Sequence, residues 1–308
     1  MTQLTAQEVL SYVQSGKSLE QKELSTIDLS GQQLDQVDFS EAYLKHANLV
    51  NAFCKGANFS DATLIFANLH AADLSEAQLV HAVLTHAHLE QVNLQKVNAK
   101  GAKFSSAFLE EAEAKQSLFD EADFREANGV RSQFSYASCI NAAFSRSDFE
   151  GAAFDEADLS RSQWQKAYLL AASFVSANLE KSVFEKANLN SANLSAANAL
   201  NADFKNATLT NAILIRTQLD WANCTNANFV NAKLQGATLF NTTMQGADLA
   251  GADLTGADLR EADFENAHME GICLTECKVA QAIFSGVTGL SAEQKAWLKE
   301  NKALNVES

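Results

Sequence analysis

The side chains in this sequence that could do chemistry are six histidines, five cysteines and a large excess of carboxylates. Five histidines, His46, His70, His81, His86 and His88, crowd into the first third of the 308 residues, and His268 stands apart. Imidazoles and carboxylates at this density could build a zinc centre, which needs ligands at about 2.0–2.3 Å in a tetrahedral array, or a general acid–base pair. Cys273 and Cys277 have no second cysteine pair nearby, so the ligand spacing of a structural zinc site is missing. No serine sits with a histidine in a nucleophile motif, and there is no glycine-rich phosphate loop. The expectation is a non-enzyme with no catalytic residue, no cofactor and no metal. Whether the scattered groups meet depends on the elements that carry them.

Those elements obey one rhythm. From Gly246 to Glu265 the chain reads GADLA, GADLT, GADLR, EADFE, and stepping by five from Leu249 reaches Leu19 in one direction and Phe284 in the other with no insertion. Of these 54 pentapeptides, 43 have Leu or Phe at the centre and 38 have Ala two residues before it. A period of five suits neither an amphipathic helix nor a plain strand. It requires a corner every five residues, with the centre and the residue two before it pointing inward. Self-similarity of this kind means a solenoid, one elongated domain whose units touch only their neighbours. Cys54, Cys139 and Cys224 fall on repeat centres and read as small buried apolar residues. Proline is absent, so nothing marks a hinge.

The units Ala47-Asn48-Leu49, Ala72-Asp73-Leu74, Ala177-Asn178-Leu179 and Ala257-Asp258-Leu259 fit the pattern A-[DN]-[LF]-x-x, which closely resembles that of the pentapeptide-repeat proteins. The resemblance implies an all-β fold, a right-handed quadrilateral β-helix of about thirteen coils at about 4.8 Å spacing. Residues twenty apart would then stack, and Phe104, Phe124, Phe144, Trp164, Phe184 and Phe204 would form an aromatic ladder. Ala99, Ala114 and Gly129 replace large centres in two successive coils and predict a cavity or sag. His46 and His86 would stand two coils apart with Phe66 between them, too far for one metal ion.

The predicted boundaries are a capping helix over 1–16, the β-helix over 17–285, and a helix and tail over 286–308. Thr5 with Glu8, and Ser291 with Gln294, have the spacing of capping boxes, and Leu4 with Val9 that of a hydrophobic staple. Trp297 and Leu298 are candidate contacts for capping the last coil, or for a homodimer, since some pentapeptide-repeat proteins pair through a C-terminal helix.

With a generic interior, specificity must lie outside. The net charge of −15 argues against direct binding of nucleic acid through phosphate neutralisation. No stretch is long and apolar enough for a membrane span, and no leader is evident, so a cytoplasmic protein is expected. Leu200, Trp221 and Phe240 occupy outward positions in three successive coils and are the candidate contacts for a protein partner. Tyr43, Ile65, Phe66 and Val83 make a second apolar grouping, and Ile213 with Ile215 a third. Eight carboxylates between Gly246 and Glu276 stand against Arg260 alone, with Asp248, Asp253, Asp258 and Asp263 as the candidate acidic face. Gyrase-shielding members of the family resemble duplex DNA in width and charge, so mimicry of DNA toward gyrase or topoisomerase is one implied function. Adaptors and effectors of bacterial secretion systems also show a short helix running into unbroken repeats. Basic residues along the middle, from Arg125 to Lys186, break up the negative field that mimicry needs. The reading is a rigid interaction scaffold whose partner the sequence does not identify.

Overall fold

Every pentapeptide turns its corner in the same way. In Phe39–Ala42 the Ala42 N–H donates to the Phe39 carbonyl at 3.0 Å, and Glu41, two past the centre, has a φ of 54°. A four-residue turn with positive φ at its third residue is a type II turn. Left-handed backbone recurs at this position from Gln21 to Gln281. It costs a non-glycine residue about 1–2 kcal/mol, which glycine escapes. Twelve of the thirteen glycines have positive φ, and the exception, Gly129, is a repeat centre. Where a short polar residue precedes the centre, it completes the corner. Its side-chain oxygen accepts the backbone N–H two residues on, as Asp28 does from Ser30 at 3.0 Å and Asn193 from Ser195 at 3.0 Å.

The computed structural model describes residues 4–307. The chain forms two compact units, Met1–Ala157 and Asp158–Ser308. In the first, single-residue parallel bridges join Asp28 to Asn48, Asn48 to Asn68 and Asn68 to His88. In the second they join Asp158 to Asn178 and Asn178 to Asn198. Each step is twenty residues, so four pentapeptides close one turn. Between coils the N–H of each centre donates to the next turn, as from Leu49 to the Asn68 carbonyl at 2.7 Å and from Leu209 to Asn228 at 2.7 Å. The solenoid expected from the repeat is thus what each unit builds.

The interior is largely apolar and layered. Repeat centres and the alanines two before them are buried throughout. In the first unit Phe104, Phe124 and Phe144 stack at 4.8 Å per step, with ring planes within 6°. In the second, Trp164, Phe184 and Phe204 stack at 5.9 and 5.0 Å. Where Ser or Thr replaces the inward alanine, its hydroxyl finds a carbonyl: Ser147 donates to Phe144 at 2.7 Å, and Thr217 to Leu194, one coil away, at 2.7 Å. Ser162 also accepts the indole N–H of Trp164 at 2.7 Å, so the largest buried side chain leaves no polar atom unpaired.

The predicted cavity at Gly129 is absent, because a neighbouring side chain fills the space. A Cβ added to Gly129 would lie 2.2 Å from Cε1 of Phe149, the centre one coil on. The Phe149 ring leans over the glycine and meets Phe124, Phe134 and Phe144 edge-on, at 6.3, 5.8 and 5.4 Å. Phe119, on the side of Ala99 and one coil on, meets Phe104 of another side edge-on at 72°. Ala99 and Gly129 lie on different sides of the coil, and each is followed on its own side, one coil on, by a large ring, Phe119 and Phe149.

Both predicted end helices form: α1 (Ala6–Gln14) and α2 (Ala292–Glu300), each opened by its capping box. Val9 of α1 and Leu298 of α2 are wholly buried. Gln294 of α2 donates to the carbonyl of Ile272 at 2.9 Å, tying the helix to the last coils. After α2 the chain rejoins the ladder, which the sequence reading did not anticipate. Gln281 donates to Lys302 at 2.9 Å, and Leu304 and Ala282 are joined at 2.8 Å. Residues 1–3 and 308 of the predicted end segments lie outside the described residues.

Candidate interaction surface

Outward positions are of two kinds. Where the residue before a centre is Asp or Asn its side chain is commonly committed to the turn, whereas the left-handed residue at the corner projects outward. Trp221 is a corner residue with φ of 63° and 53% exposure. Phe240 lies one coil on and one residue back. The Trp221 N–H donates to the Phe240 carbonyl at 3.0 Å, which sets the two side chains at adjacent heights. Their rings meet edge to face, 5.7 Å apart at 71°. On the other side of Phe240 stands Arg260, with its guanidinium carbon 5.9 Å from the ring centroid. Two hydrogen bonds to Asp258, at 2.8 and 2.7 Å, aim that guanidinium.

Leu200 does not join this cluster. It is half-buried, and the same position one coil on holds Asp220, which separates it from Phe240. The Asp220 carboxylate accepts the Phe240 N–H at 2.7 Å and the Thr238 hydroxyl at 2.9 Å. The patch is therefore Trp221, Phe240 and Arg260, with Leu200 beyond a carboxylate. Arg260 was counted in the sequence only as a lone cation in an acidic block. The signal was available, since it lies twenty residues past Phe240.

The four aspartates of the predicted acidic face do not share a face. Asp248 bridges to Asn228 and His268, Asp253 to Lys233 and Cys273, Asp258 to Thr238 and Lys278, and Asp263 to Thr243 and Ile283. A step of five moves one side around the coil, so the four form a belt. Each also accepts a backbone N–H two residues on, at 3.1, 2.9, 3.3 and 3.0 Å respectively. The Thr255 hydroxyl holds the Asp253 carboxyl below its ordinary range, and the Arg260 guanidinium does the same for Asp258. Carboxylates that do face solvent in this block are Glu261, Glu265, Glu270 and Glu276.

Trp297 lines a cavity of about 520 Å³ between α2 and the last coils, with Ile272, Cys273, Leu274 and Gln294. Leu298 is inaccessible. The histidines stay apart. His46, Phe66 and His86 stack as successive rungs at 5.2 and 4.9 Å, and His88 stacks on Phe108 at 4.8 Å. Among the described residues no three His, Cys, Asp or Glu side chains are placed to hold a metal ion. No helix among them is long and apolar enough to cross a membrane.

A solenoid of five-residue units, closed every twenty residues and presenting its corners outward, is the class this geometry defines. A family model described as pentapeptide repeats matches in eight copies, over residues 38–75, 72–110, 115–151, 152–190, 187–223, 217–256 and 244–279. The chain belongs to the pentapeptide-repeat family. Among solved structures, HetL, a pentapeptide repeat protein of the cyanobacterium Nostoc sp., is 25% identical, with 93% of this chain and 99% of that chain covered and a TM-score of 0.44. QnrB1, a plasmid-mediated fluoroquinolone resistance protein, is 19% identical, with 67% and 95% covered and a TM-score of 0.35. Rfr23 of the cyanobacterium Cyanothece is 36% identical, with 32% and 58% covered and a TM-score of 0.19. No curated protein matches the chain.

Proposed function

We propose that this protein is a non-enzymatic scaffold that holds a protein partner against the Trp221, Phe240 and Arg260 cluster. The observation that carries the reading is the edge-to-face Trp221–Phe240 pair with Arg260 braced over it by Asp258. Tryptophan and arginine anchors fixed before binding lose little conformational freedom on docking, which is how interface hot spots concentrate their energy. The coil ladder beneath them supplies that rigidity.

Mimicry of DNA is the competing reading, and the use made of the belt aspartates weighs against it. Their oxygens cap turns, and Asp258 is already paired with Arg260 and, at 3.8 Å, with Lys278. We also propose that α1 and α2 cap the ends of a right-handed, four-sided coil rather than pair two copies, since Val9 and Leu298 are consumed within the chain. Light scattering of the purified protein then gives the monomer mass.

Affinity capture from native lysate, at low and high salt, tests the scaffold. Wild type is compared with Trp221→Ala and with the triple variant Glu261→Lys, Glu265→Lys, Glu270→Lys, which spares the turn-capping aspartates. A salt-tolerant partner lost with Trp221→Ala supports the scaffold. Recovery of gyrase or topoisomerase subunits that depends on the glutamates and vanishes in high salt would sink it in favour of mimicry.

A further inference from the structure

In the first unit Glu90 and Glu110 occupy the same position, one past the centre, in consecutive coils, about 4.8 Å apart by the coil spacing. Each carboxyl has one oxygen engaged. Oε1 of Glu90 meets Nδ1 of His88 at 3.0 Å, and Oε1 of Glu110 accepts from the Asn128 side-chain amide. Oε2 of each is buried and has no hydrogen-bond partner. His88 is stacked on Phe108, and Phe108 bridges to Asn128. The result is a line of polar groups, His88 to Glu90 and Glu110 to Asn128, interrupted at one point where two acceptors stand with no donor.

Two buried carboxylate oxygens without a donor are an unfavourable arrangement, each forfeiting a hydrogen bond and repelling the other. A single proton removes both penalties. We infer that Glu90 and Glu110 share one proton between their Oε2 atoms, so that this pair carries one negative charge and couples two coils in a pH-dependent way. The proton comes from solvent as pH falls and returns to it as pH rises, with no other bond made or broken. Other titratable groups nearby are His88, already engaged by Glu90, His70 in the same position one coil before Glu90, and the outward Glu111–Arg131 ion pair at 2.8 Å. Burial first, and then the charge of Glu90, push the Glu110 carboxyl up. A carboxyl raised on folding stabilises the fold fully below its unfolded value and loses that contribution as pH rises through the folded one. The first unit should therefore loosen as pH rises above the unfolded value of about 4.3, opposite to the carboxylates that cap turns.

Carboxyl-carbon NMR of the full chain labelled at glutamate tests this, with Glu110→Gln and Glu90→Gln as assigning variants. The expected result is one glutamate signal titrating above the ordinary value of about 4.3. That signal is lost in Glu110→Gln, and in Glu90→Gln it shifts toward the ordinary value. Urea unfolding between pH 5 and 8 gives the second readout. Glu110→Gln, whose amide supplies the missing donor permanently, should remove part of the wild-type loss of stability with rising pH. Ordinary titration of both carboxyls, or parallel pH profiles for wild type and Glu110→Gln, would overturn the shared proton. A rise in melting temperature with added calcium, lost in Glu110→Gln and accompanied by ordinary titration, would also overturn it and assign the gap to a cation.

Discussion

Replacing Gly129 by leucine restores the residue type that most repeat centres carry, and it should destabilise the protein. The Cβ alone would stand 2.2, 2.6 and 2.7 Å from three ring carbons of Phe149, against an ordinary carbon contact of about 3.5–4.0 Å. Phe149 has nowhere to retreat, since Phe134, Phe144 and Phe154 lie at 5.8, 5.4 and 5.6 Å between centroids. Overpacking a filled core costs about 1–3 kcal/mol, and removing a glycine from extended backbone returns about 0.5–1. The net expectation for Gly129→Leu is a loss of about 1 kcal/mol. Phe149→Ala alone should cost about 3–5 kcal/mol. In the double variant the clash is gone, so its cost should fall short of the sum by about 1–3 kcal/mol. Urea unfolding followed by far-ultraviolet circular dichroism measures these differences, with hydrogen exchange of residues 109–150 to localise them. Tryptophan fluorescence would watch the wrong unit, because Trp164, Trp221 and Trp297 all lie in the second. Equal or greater stability of Gly129→Leu, or strict additivity in the double variant, would refute the account of how the gap is filled.

Three further outcomes follow from the same geometry. Asp253 and Asp258 are held below the usual carboxylate range by Thr255 and Arg260, so they stabilise the fold above the unfolded value of about 3.9 and lose that contribution as pH falls through the folded one. Asp253→Asn with Asp258→Asn keeps the turn-capping oxygens but removes the titration, and should lower stability near neutral pH while flattening its fall toward acid, as urea unfolding at each pH would show. Leu298→Ala should cost about 2–5 kcal/mol locally, with faster hydrogen exchange at residues 272–284 and unchanged exchange in the first unit. Cys273 is half-exposed, with a thiol pulled down by hydrogen bonding to Thr255 and Thr275, while burial pushes Cys277 up to about 12. Iodoacetamide on the native protein should therefore label Cys273 first and leave Cys54, Cys139 and Cys224 until denaturation, as peptide mass mapping would show.

The candidate surface was legible to the extent that it depends on arithmetic. Trp221 and Phe240 could be placed outward from the five-residue count, and the twenty-residue count would have added Arg260. Leu200 was misjudged because proximity was counted in coils without asking what stands between, and Asp220 does. The aspartate belt was misjudged because residues close in sequence were taken to be close on one face. In a coil of four sides, neighbours on a face are twenty apart, and residues five apart face different ways. Tyr136 and Tyr168, exposed by 55% and 59%, were likewise open to the count but stood in no grouping.

The sequence by itself determined the solenoid, its period, the inward residues and both helix starts. Each of these follows from local rules, whether burial of every fifth side chain, a short polar residue beside each corner, or a capping box. Only the tertiary structure decided how the interior is filled and which outward groups meet. Phe149 leans over Gly129, Phe119 turns edge-on to Phe104, Arg260 settles over Phe240, and residues 302–304 return to the ladder after α2. Glu90 and Glu110, in consecutive coils, each keep a buried Oε2 without a hydrogen-bond partner. These depend on the choice of rotamer and partner across coils, where side chains twenty residues apart compete for one volume, and a repeating local pattern carries no information about which of them occupies it.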